Sequence, residues 1–305
     1  MAYARRYRRR PTSTRRARTA RTRKTYPRRR APTRRSYRKR TMSTKSILNK
    51  TSRKKRNDML TVSNTSSIGS ASAKAIQPLN VTGNQPAFCI WAATAQDMYS
   101  GSGNVSNTII SPAQRTATVC YMRGLSENVR IQTNTSIPWF WRRICFTTKD
   151  GLFVGTTNTV NYTDLASGGA QRLYENKAIA GQDAYVTEVK EILFKGVEDT
   201  DWNDLIVAKV DTMRVSLKYD KVFTIRSGNQ SGTATSRKFW HPMNKNIHYD
   251  DDENGLNVTS SYYSVDSKPG MGNYIIVDII QPGAAGTAND IFRLQAEACL
   301  YWHEK

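Results

Sequence analysis

Guanidinium groups are the chemistry this chain offers first. Residues 1–40 read MAYARRYRRRPTSTRRARTARTRKTYPRRRAPTRRSYRKR and contain no carboxylate. The cations are Arg5, Arg6, Arg8, Arg9, Arg10, Arg15, Arg16, Arg18, Arg21, Arg23, Lys24, Arg28, Arg29, Arg30, Arg34, Arg35, Arg38, Lys39 and Arg40. Seventeen of these 19 are arginine, whose planar fork pairs bidentately with phosphate and stacks on bases, whereas lysine acts as a hydrated point charge. Tyr7, Tyr26 and Tyr37 sit among them and present rings on which the bases of a single strand can stack. The pattern points to nucleic-acid binding without base readout, driven by counterion release. A solubility tail would need neither this many uncompensated cations nor the arginine bias. A membrane-binding arm would need an amphipathic face or bulky apolar anchors.

A second basic knot, Arg53-Lys54-Lys55-Arg56, together with Lys45 and Lys50 brings the total to 25 of the chain's 47 Lys and Arg before the first carboxylate, Asp58. Together with the arginine clusters it also fits a nuclear import signal. Residues 57–305 hold the other 22 cations and all 24 acids, a formal 22 − 24 = −2 against +25 for residues 1–56. Charge does the work of the first segment and not of the second. The longest apolar runs, such as Ile275-Ile276-Val277, are too short to cross a bilayer, and no apolar stretch of the secretory kind follows the initial charges.

No catalytic constellation emerges. The phosphate-loop, dinucleotide, nucleophile-elbow and zincin motifs are all missing, so no catalytic residue and no cofactor are predicted. His241 and His248 lie seven apart, which suits neither a helical zinc pair nor a His-x-His nuclease motif. Cys89, Cys120, Cys145 and Cys299 have no C-x-x-C spacing and read as buried reduced thiols. Asp250, Asp252, Asn254 and Gly255 match the opening of a calcium loop, but Ser261 stands where its bidentate Glu belongs. A solvated turn or a contact with a basic group is the favoured reading, with Asp250 and Asp252 as the candidate cation ligands. The aromatic-basic runs Trp139-Phe140-Trp141-Arg142-Arg143 and Lys238-Phe239-Trp240-His241 read as subunit-interface strands, with Trp139, Trp141, Arg143, Trp240 and His241 as the contacts. A DNA-facing strand is the second reading.

The elements that must carry these groups are strands. Phe292, Leu294, Ala296, Ala298, Leu300 and Trp302 alternate with Arg293, Gln295, Glu297, Tyr301 and His303. Further strands are predicted at 87–94, 116–122, 127–133, 139–147, 186–194, 205–210 and 273–280, a hairpin turning at Asp220-Lys221, and a short helix at Ala170–Lys177. Residues 1–56 read as a disordered arm, because they cannot bury enough apolar surface to offset ordering entropy. Residues 57–75 read as a Ser/Thr-rich linker, and 76–305 as one domain. Many strands without intervening long helices predict an all-β antiparallel sandwich, and long irregular connections favour a jelly roll of about eight core strands over an up-and-down barrel.

The opening MAYARRYRRR, the segment WFWRRICFTT (139–148) and above all RKFWHPMNKNIHYDDDENG (237–255) resemble the capsid proteins of genomoviruses, the gemycircularvirus-like viruses with circular single-stranded DNA. The resemblance runs along the whole chain. It implies a jelly-roll subunit, a non-enveloped icosahedral virion of identical subunits on the order of 60 copies, and encapsidated single-stranded DNA. It further implies passage through the host nucleus with the host's import receptors, and no active site. The alternative is a viral movement or nuclear-shuttle protein that binds single-stranded DNA.

Overall fold

Period-two burial over Ile291–Glu304 builds the strand around which the body is organised. The computed structural model describes residues 42–100, 105–154, 159–165 and 169–305, and from Thr44 onward these form one compact unit. The principal elements, in chain order, begin with α1 (Thr44–Thr51), β1 (Arg53–Met59), β2 (Thr61–Thr65), β3 (Ala71–Ile76), β4 (Leu79–Thr82) and β5 (Ala87–Ala92). Next come β6 (Val119–Thr133), β7 (Trp139–Thr148), β8 (Arg172–Tyr174) and α2 (Asp183–Leu193). The last are β9 (Ser216–Ile225), β10 (Ala234–His248), β11 (Asn273–Pro282) and β12 (Ile291–Glu304). The protein is all-β, with antiparallel sheets and two short helices among the described residues.

The first sheet runs β1–β12–β6–β10, and β4 shares with β1 one edge of β12. The second runs β9–β7–β11–β5, again antiparallel throughout. A smaller sheet, β8–β2–β3, contains a parallel pair, β8 with β2. Between the two large sheets, Met122, Leu125, Leu300 and Trp302 of the first pack against Trp91, Cys145, Tyr274 and Ile276 of the second. The other surface of the second sheet is covered as well. Ile144, Phe146, Ile275 and Val277 pack under Val186, Val189 and Leu193 of α2. Strands β7 and β11 are therefore buried on both faces, which is why neither alternates cleanly in sequence.

Several expectations are corrected. Residues 186–193 belong to helix α2, whose buried Tyr185, Val186, Val189 and Leu193 follow the helical and not the strand period, and Phe194 is the extended residue that ends it. The helix predicted at Ala170–Lys177 is strand β8 and its flanks. Residues 205–210 begin as a turn and not a strand, and the carbonyls of Leu205 and Ala208 each accept from Arg142 Nη1 at 2.7 Å. No turn forms at Asp220-Lys221. β9 runs straight through, with Asp220 bound bidentately by Arg142 at 2.9 and 2.6 Å. The segments predicted at 116–122 and 127–133 merge into the one long strand β6, which begins only at Val119 and whose register shifts beside Gly124.

The boundary predicted at residue 56 also moves. Residues 44–56 form α1 and most of β1, and the linker predicted at 57–75 supplies β2 and part of β3. Polar composition misleads here because its hydroxyls serve the backbone. Thr61 Oγ1 donates to Ala296 O at 2.5 Å and accepts from Ala296 N at 2.8 Å, and Ser63 Oγ donates to Pro78 O at 2.8 Å. The part of the predicted arm at residues 1–41 lies outside the described residues.

Candidate nucleic-acid interface

The predicted DNA-binding cations from Arg5 to Arg40, with Tyr7, Tyr26 and Tyr37, lie outside the described residues. The second basic knot does not. Antiparallel pairing of β1 with β12 sends Lys54 and Arg56 to the exterior and Lys55 inward, while Arg53, at the start of the strand, is also exposed. The Lys55 ammonium sits 3.1 Å from Glu304 and donates to Gln114 O at 2.7 Å and Thr116 Oγ1 at 3.0 Å. Burial would raise the Glu304 carboxyl, but hydrogen bonds from Thr116, Trp302 and Lys55 outweigh it and hold it below its ordinary value. The import signal predicted at Arg53-Lys54-Lys55-Arg56 is corrected accordingly. A receptor cannot reach all four side chains while β1 is paired.

Four of the five predicted interface residues, Trp139, Trp141, Arg143 and His241, are also corrected. Trp139, Trp141 and Arg143 are fully buried, so they cannot meet another subunit. Arg143 belongs to a closed ring of charges between the sheets. Its Nη1 lies 2.5 Å from Glu127 Oε2 and its Nε 2.8 Å from Asp278 Oδ1. Arg172 of β8 completes the ring, with Nε 2.9 Å from Glu127 Oε1 and Nη2 2.7 Å from Asp278 Oδ2. Trp141 Nε1 donates to Asp278 Oδ1 at 2.8 Å and Arg143 Nη2 donates to the Tyr174 hydroxyl at 3.1 Å. Burial pushes both carboxyls up, but Arg143 and Arg172 dominate and hold Glu127 and Asp278 below the carboxylate range. His241, also buried, places Nε2 3.4 Å from Glu127 without hydrogen-bonding geometry and contacts Cys145 Sγ through Nδ1 at 3.8 Å. With every member sealed from solvent, this ring ties three sheets together and has no access to a ligand.

Trp240 is different. Its neighbours in β10 alternate, and it points outward, half exposed. On the outward surface of the first sheet the register aligns Lys54 with His303 and Tyr121, and Arg56 with Tyr301 and Gly124. The next rows set Ser126 beside Trp240 and Asn128 beside Lys238. At Gly124, with φ at +153°, a Cβ would come within 2.5 Å of His241 O and 2.8 Å of Trp240 Cζ2. Only glycine lets the indole edge lie over the strand there. Tyr301 flanks it with ring centroids 5.9 Å apart. On the far side of the second sheet the charge is opposite. Residues 183–211, which include α2, hold eight acids and three lysines, 3 − 8 = −5. The neutral body is polarised across its thickness.

The acidic cluster resolves through the residue between the two that were singled out. Asp251 accepts from Arg115 Nη1 at 2.6 Å and Nη2 at 3.0 Å, and Arg115 lies over the Tyr249 ring at 3.8 Å. Asp250 and Asp252 are exposed. Among the described residues no group of three or more His, Cys, Asp and Glu is placed to hold a metal ion, and the basic group that meets the cluster is Arg115 of the same chain. All four cysteines are free and buried, as the sequence predicts. Burial, aided by Asp58, pushes the Cys299 thiol up to about 11. No helix among the described residues is long and apolar enough to cross a membrane. No protein-family model matches the chain and no curated protein matches it.

Sequence reading missed the outward face because its residues come from four strands, with partners as distant as Lys54 and His303, 303 − 54 = 249 positions apart. The available signal was parity. Arg293, Gln295 and Glu297 alternate with core residues, as do Asn128 and Arg130.

Proposed function

We propose that this chain is the coat-protein subunit of a small virus with circular single-stranded DNA, of the genomovirus kind it resembles. Residues 1–40 neutralise the packaged strand, and the β body closes the shell. The observation that carries this reading is the wiring of the eight strands β1, β5, β6, β7, β9, β10, β11 and β12. Counted in that order, one sheet runs first-eighth-third-sixth and the other second-seventh-fourth-fifth. That ordering is expected of a jelly roll made of two Greek keys, an architecture recurrent in viral shells. Nineteen cations without a carboxylate precede it.

On the order of 60 copies would bring 60 × 19 = 1,140 cations into a shell, enough for roughly as many phosphates of a single strand. Import receptors, on this reading, engage the arginine clusters of residues 1–40. Electron microscopy of the full-length protein is expected to show closed particles of uniform diameter. Monomers or dimers at every salt and pH in ultracentrifugation would overturn the reading, and open nucleoprotein complexes without shells would favour a movement or shuttle protein. Deleting residues 1–40 is expected to abolish packaging. It should also reduce the salt-dependence slope for single-stranded DNA by about 0.7 for each phosphate that the deletion leaves unneutralised.

A further inference from the structure

The outward surface of the sheet β1–β12–β6–β10 has the composition of a ligand face. Six exposed cations, Lys54, Arg56, Arg123, Arg130, Lys238 and Arg293, stand on it against two exposed acids, Asp58 and Glu297, a balance of 6 − 2 = +4. Only one of the six meets an acid. Arg56 lies 3.8 Å from Asp58 with both side chains largely exposed, whereas Arg130 and Arg123 hydrogen-bond the neutral Gln295 and Asn244. Trp240 stands among them at 50% exposure, while Trp91, Trp139, Trp141 and Trp302 are at 2% or less. Tyr301 borders it, and Tyr121 and His303 form a second aromatic pair with centroids 5.9 Å apart.

A protein partner would call for an apolar, charge-depleted centre. Here Ser126 pairs with Trp240, the rows beyond it carry Asn128, Gln295 and Gln132, and the charges lie throughout. Isolated π-faces interleaved with spread cations are what a single strand requires. Chain continuity agrees. The arginine-rich segment joins the body through α1, and just after its end Ser52 Oγ lies 3.5 Å from His303 Nδ1, on this same face.

We propose that this face is a second binding surface for single-stranded DNA, on which a base stacks against Trp240 beside Tyr301 while Arg56, Arg123, Arg130 and Lys238 take the flanking phosphates. The inference rests on the coat-protein reading only for the identity of the strand as DNA. It gives the body, and not the arm alone, a share in holding the packaged strand.

The test uses the full chain at about 0.5 M salt, where purely electrostatic contacts are weakened. Oligothymidylate is compared with an abasic deoxyribose-phosphate strand of equal length. Wild type is expected to prefer oligothymidylate, with quenching of tryptophan emission. Trp240→Ala is expected to lower that preference roughly 5- to 100-fold, the range for removing one base–aromatic stack, and to abolish the quenching. Trp240→Phe should restore the preference without the quenching. Arg130→Glu with Lys238→Glu should weaken both strands equally. An unchanged preference in Trp240→Ala, or emission indifferent to saturating oligothymidylate, overturns the proposal. Loss of particle assembly in Trp240→Ala with unchanged preference would assign the face to a neighbouring copy and also overturn it. Particles are scored separately, so quenching without particles would remove the coat reading and leave this one standing.

Discussion

Strand β6 carries Glu127 and Arg130 three residues apart, and they lead opposite lives. Glu127 points between the sheets, fully buried, and is held by Arg143 and Arg172. Arg130 points out, exposed, with only Gln295 for company. The two surfaces of one sheet thus use charge for different ends. Inside, four charges with fixed partners lock β6, β7, β8 and β11 in register. Outside, cations without acidic partners keep their charge available. Strand parity alone separates the uses, since neighbouring positions of a strand face opposite ways.

The largest blow to that comparison is expected from Glu127→Ala, which leaves two buried guanidinium groups short of a partner. Unfolding in urea should register a loss of about 3–5 kcal/mol, the typical consequence of breaking a buried ionic network from one side. A loss below about 1 kcal/mol would mean that water reaches the ring, and the contrast between sealed and open charge would fail. Asp251→Ala, which removes the bidentate partner of buried Arg115, should cost about 1.5–3 kcal/mol by the same measurement.

Acid should act on the interior next. Glu127, Asp278, Asp251 and Glu304 all have folded values below their ordinary ones. Depressed carboxyl groups contribute stability that is fully present above the unfolded value of about 4 and lost as pH falls through the folded ones. Thermal unfolding midpoints should therefore drop steeply below about pH 4, and less steeply in Glu127→Gln. A slope identical in that variant would remove Glu127 from the account. The smallest effect on stability belongs to the exterior. Arg130→Glu with Lys238→Glu should leave the urea midpoint in place, because exposed substitutions away from caps and cores rarely matter to folding. A shift comparable to that of Asp251→Ala would show these cations to be structural.

Sequence reading found the β class and most long strands because amphipathic segments display their parity. Phe292, Leu294, Ala296, Ala298, Leu300 and Trp302, read as one face, are all buried. It misread segments buried on two sides. In Trp139-Phe140-Trp141-Arg142-Arg143 the arginines looked like surface residues, yet their carboxylate partners Glu127, Asp278 and Asp220 lie 16, 135 and 78 positions away. Ionic partners that distant leave no local trace. It misread 186–194 because Val186, Val189 and Leu193 fit a strand in composition and a helix only in spacing. At the candidate site, Trp240 was noticed as an aromatic beside cations. What lay beyond sequence was Gly124, 116 positions earlier, making room for its indole.

The position of β12 governs when this body can exist at all. It is built from residues 291–304 yet lies in the middle of its sheet, against β1 and β4 on one side and β6 on the other. Arg53 pairs with Glu304, so contacts span almost the whole body. A chain leaving the ribosome therefore exposes β1, β4 and β6 as open edges until residue 304 emerges. Such long-range closure makes for slow folding, and open edges invite pairing with other chains. The same arrangement acts as a checkpoint. A chain interrupted before β12 lacks the centre of a sheet, and so cannot complete the body.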